Sequence, residues 1–269
     1  FLYSIVKRLC EKSGVPMPRI AVIDNPTPNA FVFGRSVNDT TLVVHSALLS
    51  KLNKDEIEGV IGHELGHITH KDVITMTLVS AVPLLTYMVA RTLFGFLKHP
   101  RGGGRGKGQA LLFAVIVGVL SYTVYLISQL LVLKLSRTRE YYADAYSASV
   151  TGNPHGLCSA LTKIAYGLSL SRKAEPSGAR AFYIGDPVKA VNDYSLLKER
   201  MDSYDLDKDG TIDEKELEIA VEKEAKSHWR RANELFSTHP ATYRRILMLM
   251  EMEKEMRYDK RLKDIYKFI

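Results

Sequence analysis

Two histidines and a glutamate at 63–67 have the types and the spacing of a metal-dependent hydrolytic site. They lie within Val60–His70, which is VIGHELGHITH and contains His63, Glu64 and His67. Residues four apart lie on one face of a helix, so both imidazoles can reach one zinc ion. Glu64, about 100° round the helix, is close enough to deprotonate a water that the metal activates. This HExxH pattern is typical of zinc peptidases, although five residues can also match by chance.

The flanking sequence predicts that this segment lies in an amphipathic helix. Asn53, with Glu56 three residues later, has the pattern of a capping box. Apolar residues then recur at helical spacing, at Ile57, Val60, Ile61, Leu65 and Ile68. An ordinary core helix with histidines on its flank is the alternative interpretation.

A third ligand must come from elsewhere, and Ser136–Val150 offers the strongest candidate. In this segment, SRTREYYADAYSASV, Glu140 and Asp144 are four residues apart and share a helical face. We expect Glu140 to complete the zinc site and Asp144 to fix the tautomer of a ligand histidine. Arg137 is expected to steady the carboxylate or a substrate carbonyl. The alternative for this stretch is a solvated, charged helix face.

His70 competes with Glu140 for the place of third ligand, because it follows His67 by three residues. Histidines at 63, 67 and 70 of one helix span two turns, or about 10 Å of rise. They cannot all reach one ion at bond lengths of about 2.1 Å. His70 is therefore expected to be a surface residue or a neighbour of the ligands.

Two apolar segments predict a transmembrane helical hairpin. Val73–Leu97 and Gln109–Leu135 are each long enough to cross a bilayer, which takes about 20 residues. They are joined by the glycine-rich basic linker Lys98–Gly108. Both ends of a hairpin emerge on one membrane face, so this topology brings Glu140 to the HExxH helix. A buried helix pair of a soluble protein is the alternative, and basic residues on both sides leave the orientation undecided.

Composition favours a membrane protein over a nucleic-acid-binding one. The net charge is +7, and no basic run is interleaved with aromatic residues, so a basic membrane protein beside anionic lipid is the simpler account. Cys10 and Cys158 form no spaced pair and are expected to be reduced thiols, which suits a catalytic part that faces the cytosol. Because the chain starts at Phe1 and not at methionine, we expect it to be a fragment of a longer protein.

A second metal-binding pattern lies in 205–216, DLDKDGTIDEKE. It matches an EF-hand calcium loop, with Gly210 at position 6 and helical sequence at Leu196–Tyr204 and Leu217–Ala225 on either side. A solvated acidic turn is the alternative. The expected calcium ligands are Asp205, Asp207, Asp209, Thr211, Asp213 and Glu216.

The alternation and turn residues in 19–44 predict a small mixed sheet in a mainly α protein (α+β). Arg19–Asp24 is expected to be a strand, and Asn29–Gly34 and Thr40–Val44 are expected to form a hairpin. The predicted organisation is a peptidase domain in two parts, 1–72 and 136–269, interrupted by a hairpin at 73–135. The EF-hand-like insertion would occupy 196–225.

Four ordered motifs resemble the M48 family of membrane zinc peptidases. They are Asn29-Ala-Phe before a strand, HELGH at 63–67, ExxAD at Glu140–Asp144 and HPxxxxRI at His239–Ile246. The likeness is closest to the HtpX branch and more distant to the Ste24 CAAX prenyl proteases. It covers nearly the whole chain, but it does not include the calcium loop.

The resemblance implies a gluzincin-like fold and assigns roles to single residues. It implies that His63, His67 and Glu140 bind zinc and that Glu64 is the general base. His239 would stabilise the oxyanion, and Arg245 would be its structural partner. A substrate strand would add to the strand made by Asn29, Ala30, Phe31, Val32, Phe33 and Gly34.

The expected function is zinc-dependent hydrolysis of peptide bonds in misfolded or damaged membrane proteins. We expect a multi-pass protein of the cell membrane whose catalytic part faces the cytoplasm, with lipid and peptide partners and no nucleic acid. A CAAX prenyl-protein protease is one alternative, and a calcium-binding membrane adaptor with an inactive zinc site is another. A protease that cuts within the membrane is less favoured, because charged residues surround the HExxH segment.

Overall fold

Helices dominate the part of the chain that the computed structural model describes, which is residues 1–98, 107–170, 237–258 and 265–269. The calcium loop and its insertion, 196–225, lie outside these residues. The expected mainly α fold with a small sheet is confirmed. In chain order the elements are α1 (Leu2–Ser13), β1 (Arg19–Ile23), β2 (Ala30–Ser36), β3 (Asp39–His45), α2 (Ser46–Lys51), α3 (Lys54–Thr69), α4 (Asp72–Lys98), α5 (Lys107–Thr151), α6 (Pro154–Leu170), α7 (Thr242–Tyr258) and a 3-10 helix, Ile265–Phe268.

The three strands form a mixed sheet in the order β1-β3-β2. β1 is parallel to β3, and β2 pairs with β3 as the predicted antiparallel hairpin. The register shifts between Gly34 and Ser36. A Cβ at Gly34 would lie 2.1 Å from the carbonyl oxygen of Asp39, so only glycine allows this approach. Within the described residues, β2 has β3 on one side only and so forms an edge of the sheet.

The predicted capping box starts α3. The Asn53 side chain accepts from the backbone N–H of Glu56 at 3.0 Å, and Glu56 accepts from the backbone N–H of Asn53 at 2.8 Å. Glu56 also accepts a hydrogen bond from Ser159 at 2.6 Å and lies 2.7 Å from the Lys163 ammonium. The start of α3 is therefore tied to α6.

Three glycines on α3 allow neighbouring helices to approach its backbone. A Cβ at Gly59 would lie 2.6 Å from the backbone nitrogen of Leu157 in α6. A Cβ at Gly66 would lie 3.0 Å from the Cα of Ala143 in α5, and one at Gly62 would meet Ser147 of the same helix. The glycine face thus places α5 directly against the HExxH segment.

One hydrophobic core joins the sheet to α1, α2, α3, α6, α7 and the end of α5. Burial of large apolar side chains stabilises this core by roughly 1.5–3 kcal/mol for each side chain. Five leucines from five different elements have no exposed surface: Leu9, Leu42, Leu65, Leu157 and Leu249.

The chain divides into two compact units, 1–73 with 137–269 and 74–136. The second unit consists of parts of α4 and α5, which pack through ring pairs such as Tyr87 and Tyr125, 5.3 Å apart. Each helix contains an 18-residue stretch that is long and apolar enough to cross a membrane, and only 11% of that stretch is buried. A core helix of a soluble protein is mostly buried, so these exposed apolar surfaces fit contact with lipid.

Candidate active site

His63, His67 and Glu140 meet as the sequence predicts. Nε2 of His63 lies 3.1 Å from Nε2 of His67. Glu140 Oε2 lies 3.8 Å from Nε2 of His63, and Glu140 Oε1 lies 3.7 Å from Nε2 of His67. Tetrahedral coordination with bonds of about 2.1 Å separates neighbouring ligand atoms by roughly 3.4 Å. The two nitrogens and the carboxylate therefore have about the spacing of ligands to one ion.

The other ring nitrogen of each histidine faces a carboxylate. Nδ1 of His63 lies 2.8 Å from Asp144, and Nδ1 of His67 lies 2.6 Å from Asp72. When both rings are neutral, these partners place the proton on Nδ1, so that both Nε2 atoms are acceptors that face each other. Two such acceptors at 3.1 Å are satisfied by a cation between them, which is either a metal ion or the additional proton of His67.

The charged groups around His67 and Glu140 favour a cation between these residues. Burial alone would lower the pKa of His67, but the hydrogen bond to Asp72 and the charge of Glu140 raise that pKa to about 8. Burial would raise the pKa of Glu140, but the charges of His239, Arg245 and His67 hold that pKa well below its usual range. Glu140 is therefore a carboxylate at neutral pH, as a metal ligand must be.

Glu64 lies beside the ligands and is almost completely buried, with 3% of its surface exposed. Burial raises its pKa to about 8, although a hydrogen bond from the backbone of Val32 and the charges of His67 and Arg245 act against this rise. Because β2 contains Val32, the edge strand passes directly along the predicted general base. A carboxyl with a pKa near neutrality can both accept and release a proton.

His239 enters the site from the segment before α7. It is buried, and its Nδ1 lies 3.4 Å from Glu140 Oε1. Among the described residues, its Nε2 has no hydrogen-bond partner. Buried polar atoms are rarely left without partners, so this nitrogen is suited to contact a metal ion, water or substrate.

Arg245 of α7 is buried beside the site. Its Nε and Nη2 donate to the two carboxylate oxygens of Asp144 at 2.7 and 2.6 Å. Its Nη1 lies 3.1 Å from Glu140 Oε2. A bidentate pair between buried groups is held rigidly, so Asp144 presents a fixed oxygen to His63.

Two other predicted residues lie elsewhere around the site. Arg137 Nη1 donates to the carbonyl of Ser237 at 2.7 Å, and thereby ties α5 to the segment that carries His239. His70 caps the end of α3, and its Nε2 lies 3.3 Å from the hydroxyl of Tyr266. His70 is not among the residues whose atoms converge with the three candidate ligands.

The predicted substrate strand is only partly exposed. Asn29 and Ala30 are buried, Phe31 and Gly34 are partly exposed, and Phe33 is exposed. Val32 is buried and contributes the backbone contact with Glu64. The strand therefore faces the site through its backbone near Val32.

Sequence spacing alone missed Asp72 and Arg139. Asp72 accepts from His67 with one oxygen and lies 2.7 Å from Arg139 Nε with the other. Helical periodicity cannot connect Asp72 to His67, because α3 ends at Thr69 and the chain turns through Lys71, whose φ is +56°. The sequence did contain one indication of Asp72, which is an acidic residue directly before the apolar segment Val73–Leu97.

Comparisons with known proteins identify the family of this chain. The model of Peptidase family M48 matches residues 2–253. The Protease HtpX homolog of Methanothermobacter thermautotrophicus is 39% identical over 180 residues, which are 66% of this chain and just under two thirds, 64%, of that protein. The Protease HtpX homolog of Thermococcus sibiricus is 32% identical over 257 residues, or 95% of this chain and 74% of the relative.

A further relative and one solved structure also match this chain. The Protease HtpX homolog of Moorella thermoacetica is 31% identical over 95% of this chain and 73% of its own. The crystal structure of S. mikatae Ste24p is 20% identical, with a TM-score of 0.48 over 71% of this chain and 49% of that one. The family match across nearly the whole sequence confirms the predicted resemblance, and the chain belongs to peptidase family M48.

Proposed function

We propose that this chain is an integral-membrane, zinc-dependent endopeptidase. The observation that carries this proposal is the convergence of His63, His67 and Glu140 within 4.8 Å of one another, with Glu64 beside them. The donor set of two imidazoles and one carboxylate suits zinc, and such sets in catalytic sites leave a coordination position for water or substrate.

Glu64 acts as the general base and then as the acid. When bound, zinc supplies a Lewis acid that activates water and polarises the scissile carbonyl. Glu64 takes the proton of that water and delivers it to the leaving amine. Its burial supports this role, because a pKa of about 8 allows both proton transfers near neutral pH.

His239 and β2 orient the substrate. The ring of His239 reaches Glu140, so it lies where it can donate to the oxyanion that develops at the scissile carbonyl. A peptide that adds to β2 on the side away from β3 would run past Val32 and Glu64. Main-chain hydrogen bonds would hold such a peptide with little dependence on its side chains.

Casein hydrolysis by the purified full chain in detergent tests the activity. We expect turnover to be lost with a chelator and regained with zinc. Glu64→Gln should keep one zinc per chain but lose at least about 100-fold in rate, because the base is gone. Turnover retained by Glu64→Gln would contradict the assignment. A variant of the exposed Asp39, Asp39→Asn, is the control for general effects of substitution.

Metal analysis of Glu140→Ala tests the third ligand. We expect zinc to be lost from this variant and retained by His70→Ala, since His70 lies at the helix end beside Tyr266. Zinc retained by Glu140→Ala and lost from His70→Ala would mean that His70, and not Glu140, is the third ligand.

The proposed substrates are misfolded or damaged membrane proteins, cut at the cytosolic face. The two apolar helices and the HtpX-type relatives support a place in the membrane. Cleavage of a prenylated peptide but not of casein would favour the CAAX alternative, and zinc-independent calcium binding without hydrolysis would favour the adaptor.

Calcium binding at 205–216 stays a prediction from that sequence. Calcium titration of the wild type and of Glu216→Gln, with zinc held constant, tests it. We expect the variant to bind calcium more weakly, because Glu216 would be the bidentate ligand of the loop.

A further inference from the structure

The carboxylate of Asp72 joins two helices at the site. It is the first residue of α4 and is almost fully buried, with 2% of its surface exposed. Oδ2 lies 2.6 Å from Nδ1 of His67, and Oδ1 lies 2.7 Å from Nε of Arg139 in α5. Each oxygen therefore has its own charged or polar partner, and the carboxylate has little freedom to rotate.

The same order of side chains is present behind the other histidine. His63 contacts Asp144, and Asp144 is held by Arg245. His67 contacts Asp72, and Asp72 is held by Arg139. Each of the two histidines thus has a carboxylate beside its Nδ1, and each carboxylate is in turn paired with an arginine.

We propose that Asp72 and Arg139 are positioning residues that prepare His67 to bind the metal, an inference that rests on the proposed zinc site. Asp72 accepts the Nδ1 proton of His67, so that the lone pair of Nε2 points to His63 and Glu140. Arg139 acts through Asp72 by fixing its carboxylate. Since Arg139 directly precedes Glu140, one turn of α5 supplies a ligand and also orients a second one.

A purely structural role for Asp72 makes a different prediction. An acidic residue in the first turn of α4 interacts favourably with the helix dipole, with no need for His67. Its loss would then lower the stability of the metal-free protein and leave the affinity for zinc unchanged. The positioning role instead requires a change in zinc affinity that exceeds any change in stability.

Zinc affinity of the purified full chain, measured by competition with a chelating indicator, separates these roles. We expect Asp72→Asn to bind zinc about 10–100-fold more weakly, because an amide N–H toward Nδ1 favours the tautomer with its proton on Nε2. The melting temperature of each metal-free variant is measured in parallel. Asp39→Asn removes an exposed carboxylate that is also 2.7 Å from an arginine, and it should bind zinc like the wild type.

Variants of Arg139 test the order of the contacts. Arg139→Gln should weaken zinc binding, and Arg139→Lys should restore part of the loss because it keeps the positive charge. The double variant Asp72→Asn with Arg139→Gln should be no weaker than Asp72→Asn alone, since Arg139 acts only through Asp72. Additive losses, or unchanged zinc affinity in Asp72→Asn, would overturn the proposal.

The outcome also distinguishes this inference from the proposed function. If the wild type binds one zinc and Glu140→Ala does not, while Asp72→Asn binds zinc like the wild type, the zinc site stands and the positioning role fails. If the wild type binds no zinc, both fail.

Discussion

At the scale of single residues, the site is a set of buried charges that compensate one another. His63, Glu64, Glu140, Asp144 and Arg245 are all buried, and such groups are tolerated only when they are paired or bind an ion. Arg245 supplies a fixed positive charge between two carboxylates. Glu64 is the exception, since burial keeps its carboxyl neutral over much of the physiological range.

The raised pKa of Glu64 makes the stability of the metal-free protein depend on pH. Below about pH 4.5 the carboxyl is protonated in both the folded and the unfolded state. Between 4.5 and 8 the unfolded chain releases the proton while the folded protein retains it, so the free energy of unfolding falls as pH rises. Above pH 8 this contribution is constant.

Glu64→Gln has no such proton and should remove this dependence. In chelator, we expect the variant to exceed the wild type in free energy of unfolding by roughly 2–4 kcal/mol at pH 8 and above, with the difference vanishing toward pH 4.5. Denaturant unfolding in detergent at a series of pH values measures it. A difference that does not vary with pH would contradict the burial of a neutral Glu64.

At the scale of elements, the glycine face of α3 determines where α5 can lie. Gly66 lies between the HExxH residues Glu64 and His67, and the Cα of Ala143 would be 3.0 Å from a Cβ there. Ala143 is three residues from Glu140, so the contact between Gly66 and Ala143 determines the distance between the two histidines and Glu140.

Gly66→Ala should therefore increase the distance between Glu140 and the two histidines of α3. Alanine favours helix over glycine by about 1 kcal/mol, but overpacking against α5 costs about 1–3 kcal/mol and is expected to prevail. We expect weaker zinc binding together with a lower melting temperature. Gly95→Ala in α4 is the control, because no described atom lies within 4 Å of its Cβ; an equal loss in the control would exclude the contact with α5 as the cause.

The turn between α3 and α4 depends on Lys71, whose φ of +56° is unusual for a residue with a side chain. This turn carries the chain from the end of α3 to Asp72. Lys71→Gly should raise the free energy of unfolding by about 1 kcal/mol, because glycine adopts this conformation without strain. Denaturant unfolding checks it, with Lys51→Gly in α2 as a matched change that should be destabilising; a destabilised Lys71→Gly would mean that the lysine side chain outweighs the strain.

At the scale of the whole molecule, one long helix links an apolar part to the catalytic residues. α5 has no charged residue from Gly108 to Leu133, and Arg137, Arg139 and Glu140 follow within the next two turns. The apolar parts of α4 and α5 form a compact unit of their own, 74–136. The candidate catalytic residues thus lie in the chain directly next to the candidate membrane spans.

The proposed orientation predicts a difference between the two sides of the membrane. With external trypsin, we expect the first unit to be degraded in inverted vesicles and protected in intact spheroplasts, because it would face the cytosol. An immunoblot against residues 1–73 measures this, and both samples should be degraded after detergent is added. Degradation in intact spheroplasts would contradict the cytosolic placement.

Features that depend on local periodicity could be predicted from the sequence. The capped HExxH helix, the β-hairpin and the two apolar helices follow from patterns within about 30 residues, and the structure contains them. The spacing of Glu140 and Asp144 placed both on one helical face. Local patterns sufficed here because a helix or a hairpin fixes the relative positions of its own residues.

Only the tertiary structure decided which distant charges complete the site. Arg245 meets Asp144 across 101 positions of sequence, and no periodicity predicts that distance. Asp72 reaches His67 because a left-handed turn at Lys71 interrupts the helix, so helical spacing does not extend to it. Burial also raises the pKa of Glu64, and it leaves His239 with a ring nitrogen that has no hydrogen-bond partner among the described residues.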